Sequence, residues 1–219
     1  MKKYKIGLVL IILISFLIAA VSLIFLGDII PIHFGIDGKP DQFGGKYFIL
    51  IFPVLSLIIG LTMLLVAKYG KVTENYTKYL LLTGLLIEGI FTVLLVALIC
   101  YALSYSEQFP NFDISKFIMI TFGCLFLLMG NFMPKIERNR SLGLKCKWSL
   151  YNDTTWQKTH RILGFGGVIV GILCIIFSMF FKDVVNFIIL MLLILILMVT
   201  SIIASYIYYK QEKELEIRE

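Results

Sequence analysis

Six apolar runs divide this chain: Ile6–Leu26, Tyr47–Ala67, Tyr79–Leu103, Phe117–Met133, Ile162–Phe181 and Val184–Tyr209. Each approaches the length of a helix crossing a hydrocarbon core of about 30 Å, which takes about 20 residues. Backbone N–H and C=O groups find no water in lipid, so a spanning segment is either a helix or a strand of a closed barrel. Barrel strands are short and alternate in polarity, and these runs do neither. The pattern therefore predicts an all-α polytopic membrane protein with six transmembrane helices. Composition supports this: 59% of the 219 residues are hydrophobic and 16% charged, against about 45–50% and about 25% in a soluble domain. An ordinary soluble enzyme and a disordered chain are both excluded.

The 20 Lys and Arg residues set the expected orientation. Sixteen fall at the N-terminus, in the second and fourth connections and in the C-terminal tail; the other four are Lys39, Lys46, Lys116 and Lys182. By the positive-inside rule, both termini are cytoplasmic (N-in/C-in), and the first, third and fifth connections face outward. The net charge of +6 is thus a matter of topology and lipid headgroups, and no direct nucleic-acid binding is expected. The basic start resembles a signal peptide. Its apolar run is too long and lacks a small-x-small cleavage site, so it reads as a retained first span of a multi-pass cell-membrane protein. Two units are expected: residues 1–78, with two spans and an outward Pro/Gly loop, and residues 79–219, with four spans and a basic cytoplasmic loop. Cys100, Cys124, Cys146 and Cys174 include no C-x-x-C pair, and three lie in apolar runs, so they read as small buried hydrophobes.

The outward loop carries Pro31, His33, Phe34, Asp37, Gly38, Pro40, Asp41 and Lys46. Asp37-Gly38 and Pro40-Asp41 preset turns, so the loop has a defined shape. His33, Asp37 and Asp41 are potential ligands or acid–base groups, but their spacing fits no established metal motif. The readings open here are a self-bonded cap, a recognition surface and a metalloenzyme centre built on His33. The first is favoured, with no metal, no other cofactor and no catalytic residue expected. Pro110-Asn111 marks a turn in the third connection, and Pro53 is expected to bend the second span.

The fourth connection reads Gly130-Asn131, Pro134, Asn139, Gly143-Leu144-Lys145, Trp148 and then Trp156, Lys158, His160, Arg161 and Gly164. Pro134 ends or kinks the fourth helix, and Asn152 or Asp153 caps the fifth. Trp156, His160 and Gly164 share one helical face. The tryptophans suit headgroup depth, and Lys158 and Arg161 are placed to reach lipid phosphates. An interfacial anchor and a docking surface for a cytosolic partner are both open; His160 has no evident catalytic partner. Gly167-x-x-x-Gly171 permits close helix packing. Glu88 is an acid near the middle of the third run. An unpaired charge there costs about 2.5–3.5 kcal/mol on insertion scales, so it is either protonated or partnered. It reads as an inter-helix link or, alternatively, as the proton-coupling group of a small transporter.

Together these residues carry a resemblance. Pro31 to Lys46 is similar to the P-x-H-F-x-x-x-G-x-P-D-x-x-G-x-K signature of a membrane domain of unknown function. Gly130-Asn131, Asn139, Gly143-Leu144-Lys145, Trp148-Ser149-Leu150 and Trp156-x-Lys158-Thr159-His160-Arg161-x-x-Gly164 resemble the hallmark of the SdpI immunity-protein family. Cys146-Lys147 departs from it, standing where the family has Thr-Pro. The resemblance implies protection of a cell against a secreted peptide toxin. It also implies a receptor role, in which the toxin-bound protein holds a small transcriptional repressor at the membrane.

Overall fold

A computed structural model of the protein describes residues 1–35, 39–70, 73–105, 113–139 and 142–218. Asp37, Gly38, Pro110, Asn111 and Arg140 lie outside the described residues. The element order is α1 (Lys2–Phe25), β1 (Ile29–Phe34), β2 (Pro40–Gly45), a 3₁₀ turn (Lys46–Leu50) and α2 (Ile51–Tyr69). There follow α3 (Glu74–Tyr105), α4 (Ile114–Phe132), a second 3₁₀ turn (Met133–Lys135), α5 (Asp153–Phe180) and α6 (Asp183–Arg218). Among the described residues, six helices are long and apolar enough to cross a membrane.

Two departures from the sequence reading stand out. The first connection contains a two-stranded antiparallel hairpin, so the all-α bundle carries a small β cap. Pro53 lies in the first turn of α2. Its missing N–H costs no intrahelical bond there, so it serves as a helix start where a bend of the span was expected.

α1, α2 and α3 pack together, and α4, α5 and α6 form a second group, with α3 also touching α4. Side chains facing lipid stay apolar and exposed, among them Leu13, Leu17, Ile58, Met191 and Leu195. The buried faces hold small or hydroxyl residues such as Ser15, Ser56, Ser201 and Ser205, which is the packing chemistry of helices in lipid. Glycines let α4 and α5 approach closely. A Cβ on Gly164 would lie 2.7 Å from the Gly130 carbonyl, and one on Gly171 would lie 2.7 Å from that of Gly123. The glycines therefore bring the two backbones into direct contact.

The bundle has two distinct ends. Ile30, Ile49, Leu98 and Ala102 form a buried cluster beneath the hairpin. Tyr79, Phe132, Met133, Ile136 and Trp156 form another beneath the α4–α5 connection. Tyr79 near the start of α3 stacks on Phe132, while Tyr101 near its end meets the hairpin residue Phe34. At the helical rise those two tyrosines are roughly 33 Å apart, so hairpin and connection lie at opposite faces of a membrane-sized slab.

Candidate functional site

The hairpin pairs Ile29 with Gly45, Ile30 with Gly44, Pro31 with Phe43, His33 with Gln42 and Phe34 with Pro40, with irregularities on either side of His33. A Cβ at Gly44 would press on Ile32 at 2.9 Å, so glycine suits that cross-strand position. Gly35 N–H donates to the Lys39 carbonyl at 2.8 Å. Lys46 closes the base through an ion pair with Asp28 at 3.1 Å. Pro31 is buried and Phe34 meets Tyr101 edge-on at 4.8 Å, so one face of the hairpin is fastened to α3. His33 Nδ1 and Asp41 Oδ1 stand 2.6 Å apart on the exposed face. Phe43 contacts Tyr105. Among the described residues no three ligating side chains converge.

Within the bundle, Glu88 is fully buried. Ser56 Oγ on α2 donates to its Oε2. Oε1 has no hydrogen-bond partner among the described residues and faces the space left by Gly60, where a Cβ would lie 3.4 Å away. Thr92 Oγ1 donates to the Glu88 carbonyl at 2.9 Å and meets Ser15 Oγ of α1 at 3.1 Å. Three helices thus share one polar thread. Ser15 and Ser56 did not stand out in the sequence. Their signal was present, since both are hydroxyls inside otherwise apolar runs.

The α4–α5 connection folds around a buried histidine. Asn152 caps α5: its Oδ1 accepts from Thr155 N–H at 2.8 Å, and Thr155 Oγ1 accepts from Asn152 N–H at 3.1 Å. This reciprocal box sets the phase of the helix. It turns Trp156 and His160 inward, both without solvent exposure. Trp156 Nε1 donates to the Ile136 carbonyl at 2.7 Å, and the two rings stack at 3.8 Å. Trp156 is therefore a core residue and not the headgroup anchor its residue type suggested. Leu144 N–H donates to His160 Nε2 at 3.1 Å, so Nε2 is an acceptor. Nδ1 then carries the hydrogen and donates it to the Trp156 carbonyl at 2.9 Å. Both nitrogens are satisfied in the neutral ring. Gly143 has φ +90°, and any Cβ there would collide with His160 Nε2.

The remaining motif residues fasten the connection. Asn139 Oδ1 accepts from Leu142 N–H at 2.7 Å. Arg138 bonds Asp153 at 2.7 Å and the Leu150 carbonyl at 3.0 Å. Lys158 pairs with Glu212 of α6 at 2.8 Å, which directs it to protein where lipid was expected. Trp148 packs on Tyr206, Tyr151 on Tyr209, and Tyr151 donates to Glu216. Cys146 is half-buried and meets Ser205 Oγ. Burial alone would raise its thiol, but hydrogen bonds with Ser205, Ser149 and Trp148 outweigh that and lower it. Asn131 and Arg161 are exposed beside the helix junction.

Residues 135–205, from the connection through α5 into α6, match the SdpI/YfhL protein family. Residues 10–58, spanning α1, the hairpin and the start of α2, match a domain of unknown function, DUF1648. The chain is 28% identical over 212 residues to "Immunity protein SdpI" of Bacillus subtilis (strain 168), covering 96% of this chain and 98% of that one. No solved structure matches. A multi-pass membrane architecture fits both likenesses: the chain is similar to the SdpI/YfhL family over its C-terminal region and to Immunity protein SdpI over nearly its whole length.

Proposed function

We propose that this protein gives its cell immunity to a secreted peptide toxin that attacks the membrane, without a catalytic step. The supporting observation is the likeness to Immunity protein SdpI, which runs through both matched regions and nearly the whole of each chain. The hairpin suits recognition of the toxin. It is held rigidly on α3 by Phe34 and closed by Lys46–Asp28, while His33 and Asp41 remain exposed. A recognition surface fixed before binding loses less conformational entropy on binding.

With both termini cytoplasmic, as the Lys and Arg distribution favours, the connection built around His160 faces the cell interior. There it offers a basic, ordered platform to a cytosolic partner such as a transcriptional repressor. Glu88 reads as a link between α2 and α3, since Ser56 already occupies its Oε2.

The test is protection. Expressed in a toxin-sensitive strain, the chain should raise survival against a peptide toxin of the cognate type. His33→Ala with Asp41→Ala should reduce that survival at unchanged protein level in the membrane. Unchanged killing by every such peptide would reject immunity.

A further inference from the structure

The glycine contact between α4 and α5 leaves a cleft on each side of the pair. One cleft, of about 430 Å³, lies between α4, α5 and α6. Its walls are apolar, with Met129, Met133, Leu163 and Met198, and Lys145 stands among its lining residues. The other, of about 420 Å³, lies on the opposite side. Phe165 and Val168 line it together with Asn131 and Arg161. Gly130 belongs to both, so they share one cause: two helices too close to carry side chains between them leave open flanks.

Depth and charge say what fits. The fourth apolar run ends at Met133 and the fifth begins at Ile162. In each cleft the cation therefore sits at the polar edge of the runs, and the apolar wall lies within them. No carboxylate lines either cleft among the described residues. A guanidinium beside a carboxamide donates well to a phosphodiester, and an ammonium attracts one as a point charge. An apolar trough below a cation matches a molecule with an anionic head and a hydrocarbon tail.

We propose that the two clefts flanking the α4–α5 contact are binding sites for anionic phospholipids of the leaflet on the connection side. Lys145 and Arg161 take the phosphate, and the methionine-lined and Phe165–Val168 walls take acyl chain. Bound there, lipid fills the flanks of the glycine contact and replaces the packing that the missing side chains do not supply.

The experiment uses the full chain, purified in neutral detergent and titrated with dioleoylphosphatidylglycerol or dioleoylphosphatidylcholine. Bound lipids are counted by native mass spectrometry. Two retained phosphatidylglycerols are expected, favoured over phosphatidylcholine by roughly tenfold, the scale of one charge-assisted hydrogen bond. Lys145→Gln with Arg161→Gln should bring that preference close to one. Met198→Trp, which fills the α6-side cleft from a half-exposed position, should remove one lipid and keep the other. Lys213→Gln, an exposed cation of α6 outside both clefts, should change nothing. Equal retention of the two lipids overturns the proposal. So does an equal loss of preference in Lys213→Gln, which would mean general charge attraction. Binding of an acidic synthetic peptide in place of phosphatidylglycerol also overturns it and makes this face a protein-docking surface.

Discussion

Gly143 shows how narrowly single positions are determined. Its φ of +90° disfavours any side chain, and His160 Nε2 occupies the space a Cβ would need. Gly143→Ala should therefore cost about 1–2 kcal/mol from the backbone alone, with a clash added. It should also release the Leu144 N–H bond to His160. A thermal melt in detergent should show a lowered transition, and proteolysis should cut the connection sooner; an unchanged melt would contradict this account. Some of this was legible beforehand. The i, i+4 spacing placed Trp156 and His160 on one face, and Asn152 was named as a possible cap. What could not be read was their burial. It depends on Ile136 and Leu144, which reach α5 only after the connection folds back, so an interface-type tryptophan became a core residue.

At the level of elements, the six helices were legible because lipid imposes a local rule: each span must bond its own backbone. Their ends were less so. The third run starts at Tyr79 but α3 begins at Glu74, and the sixth ends near Tyr209 but α6 continues to Arg218. Polar turns extend a helix when something holds them, and for α6 that is the connection. The hairpin was legible only as turn chemistry, since its short strands do not alternate cleanly and their pairing is interrupted beside His33. The contact between α4 and α5 carries the clearest prediction at this scale. Gly130→Leu would push a side chain into the Gly164 carbonyl and Val168, forcing the helices apart. Overpacking of this kind costs about 1–3 kcal/mol or more. The variant should give less monodisperse protein on size exclusion, whereas Gly89→Leu on α3, where a Cβ would meet only Ile11 at 4.0 Å, should elute as the parent does.

Hairpin and connection lie at opposite ends of α3, and the Lys and Arg count predicts the hairpin on the outside. In a variant with its four cysteines replaced, a single cysteine at His33 should react with an impermeant maleimide on intact cells. One at Lys213 should react only after the membrane is opened. Labelling of both from the same side would overturn the topology and the division of roles drawn from it. The grouping of α1–α3 and α4–α6 was not legible, because apolar runs of similar composition do not reveal which neighbour each prefers. The partners are chosen by Ser15, Ser56 and Thr92 on one side and by the α4–α5 glycines on the other.

One feature of α6 has mechanical consequences. Its 36 residues measure roughly 54 Å at the helical rise, well beyond a hydrocarbon core of about 30 Å. The C-terminal turns of α6 are riveted to the connection by Trp148–Tyr206 and Tyr151–Glu216 and to the first turns of α5 by Lys158–Glu212. A tilt of α6 inside the bilayer would load these contacts and, through them, the surface that His160 holds in shape.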